Sequence, residues 1–182
     1  MRAFVAIDLP EPQHLALADA QRRFCSVCPE ARWTRPEGIH LTLKFLGEVA
    51  DAKLKQVVEA LAGLGTFEPI PVEVKGFGFF PHGGRPRVFW VGVEAPPALA
   101  ELAERVEREM EKAGFLREPR PFTPHLTLAR FAVPRPQPAL EAAVASQNAV
   151  SLGQFVASEF FLFESKLSPA GAQYRKVVRF PR

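Results

Sequence analysis

The chain has little of what staples or anchors a small protein. Its 182 residues contain only two cysteines, Cys25 and Cys28. The Cys-Ser-Val-Cys spacing invites a zinc or redox reading, but structural zinc takes four ligands and no second cysteine pair is present. A redox pair is expected just after a strand at a helix start, whereas this one follows a helical stretch, so two ordinary thiols in a reducing compartment are expected. No apolar run approaches membrane-spanning length, and Asp8 interrupts the opening too early for a secretory leader, which predicts a cytoplasmic protein with no membrane partner. Gly83-Gly84 lacks both the Lys-Ser/Thr ending and the following helix of a phosphate-binding loop. Charge of one sign is lacking too: 23 Lys plus Arg against 20 Asp plus Glu leave a net +3. A sequence pI near 9.1 still leaves room for a local basic groove suited to a polyanion, or simply for a mildly basic solvated surface.

What is present is a hydrophobic fraction of 47% in a length that fits one compact domain or two small lobes. Ala3 to Leu9 reads as a strand ended by Pro10, and His14 to Phe24 as a helix whose first turn leaves His14 solvated. Asp51 reads as the cap of a helix with Leu54, Val57, Val58 and Leu61 on one face. Val72 to Phe80 and Arg87 to Val93 form a predicted hairpin across a turn-rich segment in which His82 is incidental. Pro96-Pro97 opens a helix with Leu99, Leu102, Ala103, Val106 and Met110 on one side and Gly114 at its end. A short helix follows around Ala139 to Ser146, then closing strands over Phe155 to Phe163 and Tyr174 to Phe180.

One four-residue string occurs twice, as His40-Leu41-Thr42-Leu43 and as His125-Leu126-Thr127-Leu128, close to half a chain apart. Read as strands, both copies put His and Thr on one face and the leucines on the other. A single such His is usually a hydrogen-bonded structural ring. Two copies suggest half-sites facing across a groove, where one imidazole takes a proton while the other gives one and the threonine hydroxyls donate to phosphate oxygens. Lys44 shares the His parity and could touch phosphate, though a solvated lysine fits it better. Phe45 follows the leucines and belongs to the core. Arg130 would add a bidentate phosphate donor, but strict alternation places it on the wrong face unless the strand bulges. Tyr174 either borders the substrate or caps the core.

These two His-x-Thr-x motifs resemble the 2H phosphoesterase superfamily, and more closely the 2′-5′ RNA ligase and RNA 2′,3′-cyclic phosphodiesterase family. The opening Arg2-Ala3-Phe4-Val5-Ala6-Ile7, the middle Phe79-Phe80-Pro81 with Arg85 to Gly92, and the ending Ser165 to Tyr174 are similar as well. The resemblance implies an α+β fold over residues 1–182, a single domain of two pseudo-symmetric lobes, each an antiparallel sheet with helices packed outside and the active-site groove between them. It implies hydrolysis of RNA 2′,3′-cyclic phosphate ends to 2′-phosphate without metal or cofactor, with His40 as proton donor and His125 as acceptor, Thr42, Thr127 and Arg130 as substrate-binding residues, a monomeric state, and reversible 2′-5′ ligation as an added activity. Two alternatives stand beside this: a phosphodiesterase acting on small cyclic nucleotides, and a non-catalytic RNA-binding module with steeply salt-dependent affinity.

Overall fold

The computed structural model describes residues 1–182 as nine strands and four α-helices, arranged in two antiparallel sheets. The first sheet has the order β3 (Leu41–Glu48), β1 (Arg2–Ile7), β8 (Phe160–Ser168), β9 (Gly171–Phe180). The second has the order β2 (Arg32–Trp33), β6 (His125–Arg130), β5 (Val88–Glu94), β4 (Ile70–Phe80), β7 (Ser151–Ala157). The helices are α1 (Glu11–Cys25), α2 (Asp51–Ala62), α3 (Pro97–Lys112) and α4 (Pro138–Ala145). None is long and apolar enough to cross a membrane.

Local chemistry explains most of these elements. Prolines sit in the first turns of α1, α3 and α4, where a missing N–H costs nothing. In α2 the residue before the helix is Ala50 and no side chain caps it, so Asp51 is the first helical residue, not the cap; its charge there faces the positive end of the helix dipole. The aromatic run over 155–163 is not one strand. It breaks at Ser158-Glu159, where the chain leaves β7 of one sheet and enters β8 of the other. Periodicity alone could not show this, because both pieces have the same β-branched and aromatic composition.

One continuous core of 38 buried residues draws on both sheets and all four helices. Each sheet is covered partly by a helix that follows a strand of the other: α1 follows β1 yet packs on β7, and α3 follows β5 yet packs on β3. Strand β1 is buried on both faces. Ala3, Val5 and Ile7 belong to the main core, while Phe4 and Ala6 join Phe161 and Phe163 in a separate cluster on the opposite face. That second face carries the first histidine motif.

Candidate functional site

His40 lies immediately before β3, at the exit of a 3-10 turn formed by Pro36–Gly38, and His125 is the first residue of β6. The two rings are held in the same way. His40 Nδ1 donates to the carbonyl of Gly38 at 2.8 Å and His125 Nδ1 donates to the carbonyl of Thr123 at 2.7 Å, each two residues back. A carbonyl only accepts, so the proton of each neutral ring sits on Nδ1 and Nε2 is left with its lone pair. The approaches match too: Arg35-Pro36 and Arg120-Pro121 stand at the same offset before each ring.

The surroundings of the rings differ. His40 stacks on Phe4, with ring centroids 4.4 Å apart, and meets the Tyr174 ring edge-on at 5.0 Å. Tyr174 therefore borders this ring instead of capping the core. Burial pushes the His40 pKa down to about 4; the bond to Gly38 and the charge of Asp8 oppose this, while Arg130 and His125 push further down. His125 packs against the edge of Phe80 at 4.9 Å, with Trp90 at 6.4 Å. Its pKa is lowered by burial, opposed by the bond to Thr123 and lowered again by Arg130. The Arg130 charge thus reaches both rings, and that of His125 reaches His40. At neutral pH both imidazoles are uncharged beside a fixed cation.

Both motif strands carry an extra residue directly after the threonine. Opposite β1, Thr42 pairs with Ala6 and Lys44 with Val5, so Leu43 is supernumerary. Opposite β5, Thr127 pairs with Trp90 and Ala129 with Phe89, so Leu128 is supernumerary. Each bulge inverts the alternation that follows. Arg130, opposite Val88, returns to the face of Thr127 and His125. Phe45, at the corresponding position of the first copy, lies opposite Phe4, on the face of Thr42, and is 65% exposed. Its expected place in the core is therefore corrected. Lys44 is turned the other way: its side chain is 3% exposed, and Nζ donates to Glu107 Oε1 of α3 at 2.5 Å and to the carbonyl of Leu116 at 3.0 Å. It is neither solvated nor on the face of Thr42. Glu107 Oε1 also accepts from the Glu118 N–H at 3.0 Å, on the segment leading to His125.

His14, expected in solvent, is half-buried, with Nδ1 bonded to the carbonyl of Pro36 at 2.7 Å and Nε2 3.6 Å from Asp8 Oδ1. Sequence reasoning missed this residue and Phe45. For Phe45 a signal existed in the repeat itself, since any irregularity that brings Arg130 onto the groove face does the same for the fifth residue after His40. No three His, Cys, Asp or Glu side chains are grouped so as to hold a metal ion.

The 2′-5′ RNA ligase superfamily profile matches residues 9–167. The chain is 34% identical over 181 residues to an RNA 2′,3′-cyclic phosphodiesterase of Methanothermobacter thermautotrophicus, covering 99% of this chain and 98% of that one. A solved structure from Thermus thermophilus superposes with a TM-score of 0.82 at 32% identity, covering 99% and 97% of the two chains. E. coli LigT, solved with 3′-AMP, superposes with a TM-score of 0.79 at 28% identity, covering 98% and 96%.

Proposed function

The chain belongs to the 2′-5′ RNA ligase superfamily, and from that premise we propose that it is an RNA 2′,3′-cyclic phosphodiesterase built as one domain of two related lobes and acting as a monomer. The observation that carries the reading is the pair of imidazoles held alike by backbone carbonyls, each with Nε2 unclaimed by that bond. In the proposed reaction His125 Nε2 takes a proton from water as the water oxygen attacks phosphorus. The P–O3′ bond breaks, His40 Nε2–H delivers its proton to the departing O3′, and a 2′-phosphate remains. Thr42 and Thr127 donate hydroxyl hydrogens to the non-bridging oxygens, and Arg130 meets the developing charge with its guanidinium fork.

The role given to His40 requires that it gain a proton when substrate binds. Burial disfavours that proton in the free protein, and a phosphodiester anion brought against the ring favours it. Binding is thus coupled to uptake of one proton by the pair, the second being opposed by like charge. With the 5′-hydroxyl of another RNA end in place of water, the same displacement joins two ends through a 2′-5′ bond.

The test is turnover of an oligonucleotide ending in 2′,3′-cyclic phosphate, in the presence of EDTA. The proposal expects undiminished hydrolysis to a 2′-phosphate, and loss of turnover in His40→Ala and in His125→Ala. Sensitivity to the chelator, or activity surviving in the double variant, refutes it. Comparing the oligonucleotide with a mononucleoside cyclic phosphate decides whether RNA ends or small nucleotides are preferred.

A further inference from the structure

The two histidine motifs lie on different sheets, yet α1 is hydrogen-bonded to the backbone that supports each of them. Near its start, His14 Nδ1 donates to the carbonyl of Pro36. Pro36 opens the 3-10 turn whose Gly38 carbonyl holds the His40 ring. The far side of His14 faces Asp8, which is ion-paired with Lys176 on β9. Seven residues on, two turns later and so on nearly the same side of the helix, Gln21 is buried and its Nε2 donates to the carbonyl of Thr34 at 2.7 Å and to that of Leu128 at 3.0 Å. Leu128 is the supernumerary residue that returns Arg130 to the groove face, and its carbonyl also accepts from the Thr34 N–H at 2.9 Å.

A buried amide on the inward side of a helix costs free energy unless its hydrogen bonds are made, and an apolar residue would pack there without that cost. Gln21 makes its bonds to the bulge and to Thr34, the residue that follows β2. His14 makes its bond to the turn before His40. We propose that His14 and Gln21 are positioning residues, with α1 as the strut between them: His14 sets the orientation of the His40 ring and Gln21 sets the delivery of Arg130. Neither side chain contacts the reacting atoms; each acts through main-chain carbonyls. The proposal rests on the reading of His40 and Arg130 as parts of the active site.

The experiment uses His14→Asn, His14→Gln and Gln21→Met. Asparagine puts an amide nitrogen where Nδ1 stands, glutamine fills the space but carries its nitrogen to the Nε2 position, and methionine keeps the length of Gln21 without a donor. Two readouts are taken: the 15N imidazole spectrum, which reports which nitrogen of each ring holds the proton, and kcat and KM on a cyclic-phosphate oligonucleotide. In His14→Gln the His40 ring leaves its fixed Nδ1–H form while His125 keeps its own. There kcat falls about tenfold with KM little changed, the scale expected for a misplaced group, and His14→Asn restores both. In Gln21→Met both rings keep their tautomers and KM rises about tenfold, since the anion's fork is displaced while the proton-transfer groups are not. Unchanged spectra and kinetics, a loss of thermal stability alone, or the same change in both rings from either substitution overturns the proposal. The spectra need no turnover. A His40 shift in a protein that leaves cyclic phosphate intact supports the strut and refutes the phosphodiesterase reading, whereas normal turnover with unmoved rings does the reverse.

Discussion

Acidifying the protein from pH 7 to pH 4.5 removes stability, and a separable share of that loss belongs to His40. In the unfolded chain this ring titrates near 6.5, and in the fold burial against Phe4 holds it at about 4. Between those values the unfolded state binds a proton that the folded state refuses, so stability rises with pH across the window and is lost as pH falls from 6.5 towards 4. At pH 4.5 the linkage amounts to about 2.5 kcal/mol, taking 1.36 kcal/mol per pKa unit. His40→Asn isolates the effect, because an amide nitrogen replaces the Nδ1 donor to Gly38 but does not titrate. Urea unfolding of both proteins at pH 7 and pH 4.5 gives the comparison. Carboxylates and His125 contribute to the acid loss in both, so the wild type should lose about 2.5 kcal/mol more than the variant. Equal losses, within about 0.5 kcal/mol, would refute the claim that the ring is buried and neutral.

Three further outcomes follow from the same geometry. Glu107→Ala strands the buried Lys44 ammonium and costs about 3–5 kcal/mol, while Lys44→Met combined with Glu107→Leu recovers most of it; chemical denaturation of the single and double variants checks this. Arg130→Gln removes a charge that depresses both histidines, so the kcat/KM profile against pH, centred below pH 6.5 in the wild type, moves to higher pH and KM for the cyclic phosphate rises; Arg130→Lys keeps the profile in place and loses affinity with the fork. Phe45→Ser changes unfolding stability by less than about 0.5 kcal/mol, whereas Leu43→Ser costs about 2–5 kcal/mol; unbroken alternation along β3 would put both in the core and make both costly.

Much of the architecture could be read from residue order. The prolines opening α1, α3 and α4 and the apolar face of α3 are local signals, and the structure places these helices where the pattern does; the strand at Tyr174 to Phe180 also lies within β9, whereas the run over 155–163 is split between the two sheets. The two His-x-Thr strings announced themselves by repetition. What stayed hidden was non-local. A bulge is a mismatch between partner strands, so Leu43 and Leu128 look like ordinary alternating leucines until β1 and β5 lie beside them. That one irregularity reversed the expectations for Lys44 and Phe45 and resolved the conflict over Arg130. His14 misled for a related reason. Its own helix gives no hint that the Pro36 turn folds back onto it, and a polar residue in a first turn ordinarily meets water.

Whether two imidazoles flank one phosphorus is decided by a crystal structure of the protein with a nucleoside 2′-phosphate. The phosphate is expected between the rings, with an oxygen within about 2.6–3.2 Å of Nε2 of both His40 and His125, and with Arg130 on the same group. A phosphate bound elsewhere, or held by one ring while the other turns away, would contradict it.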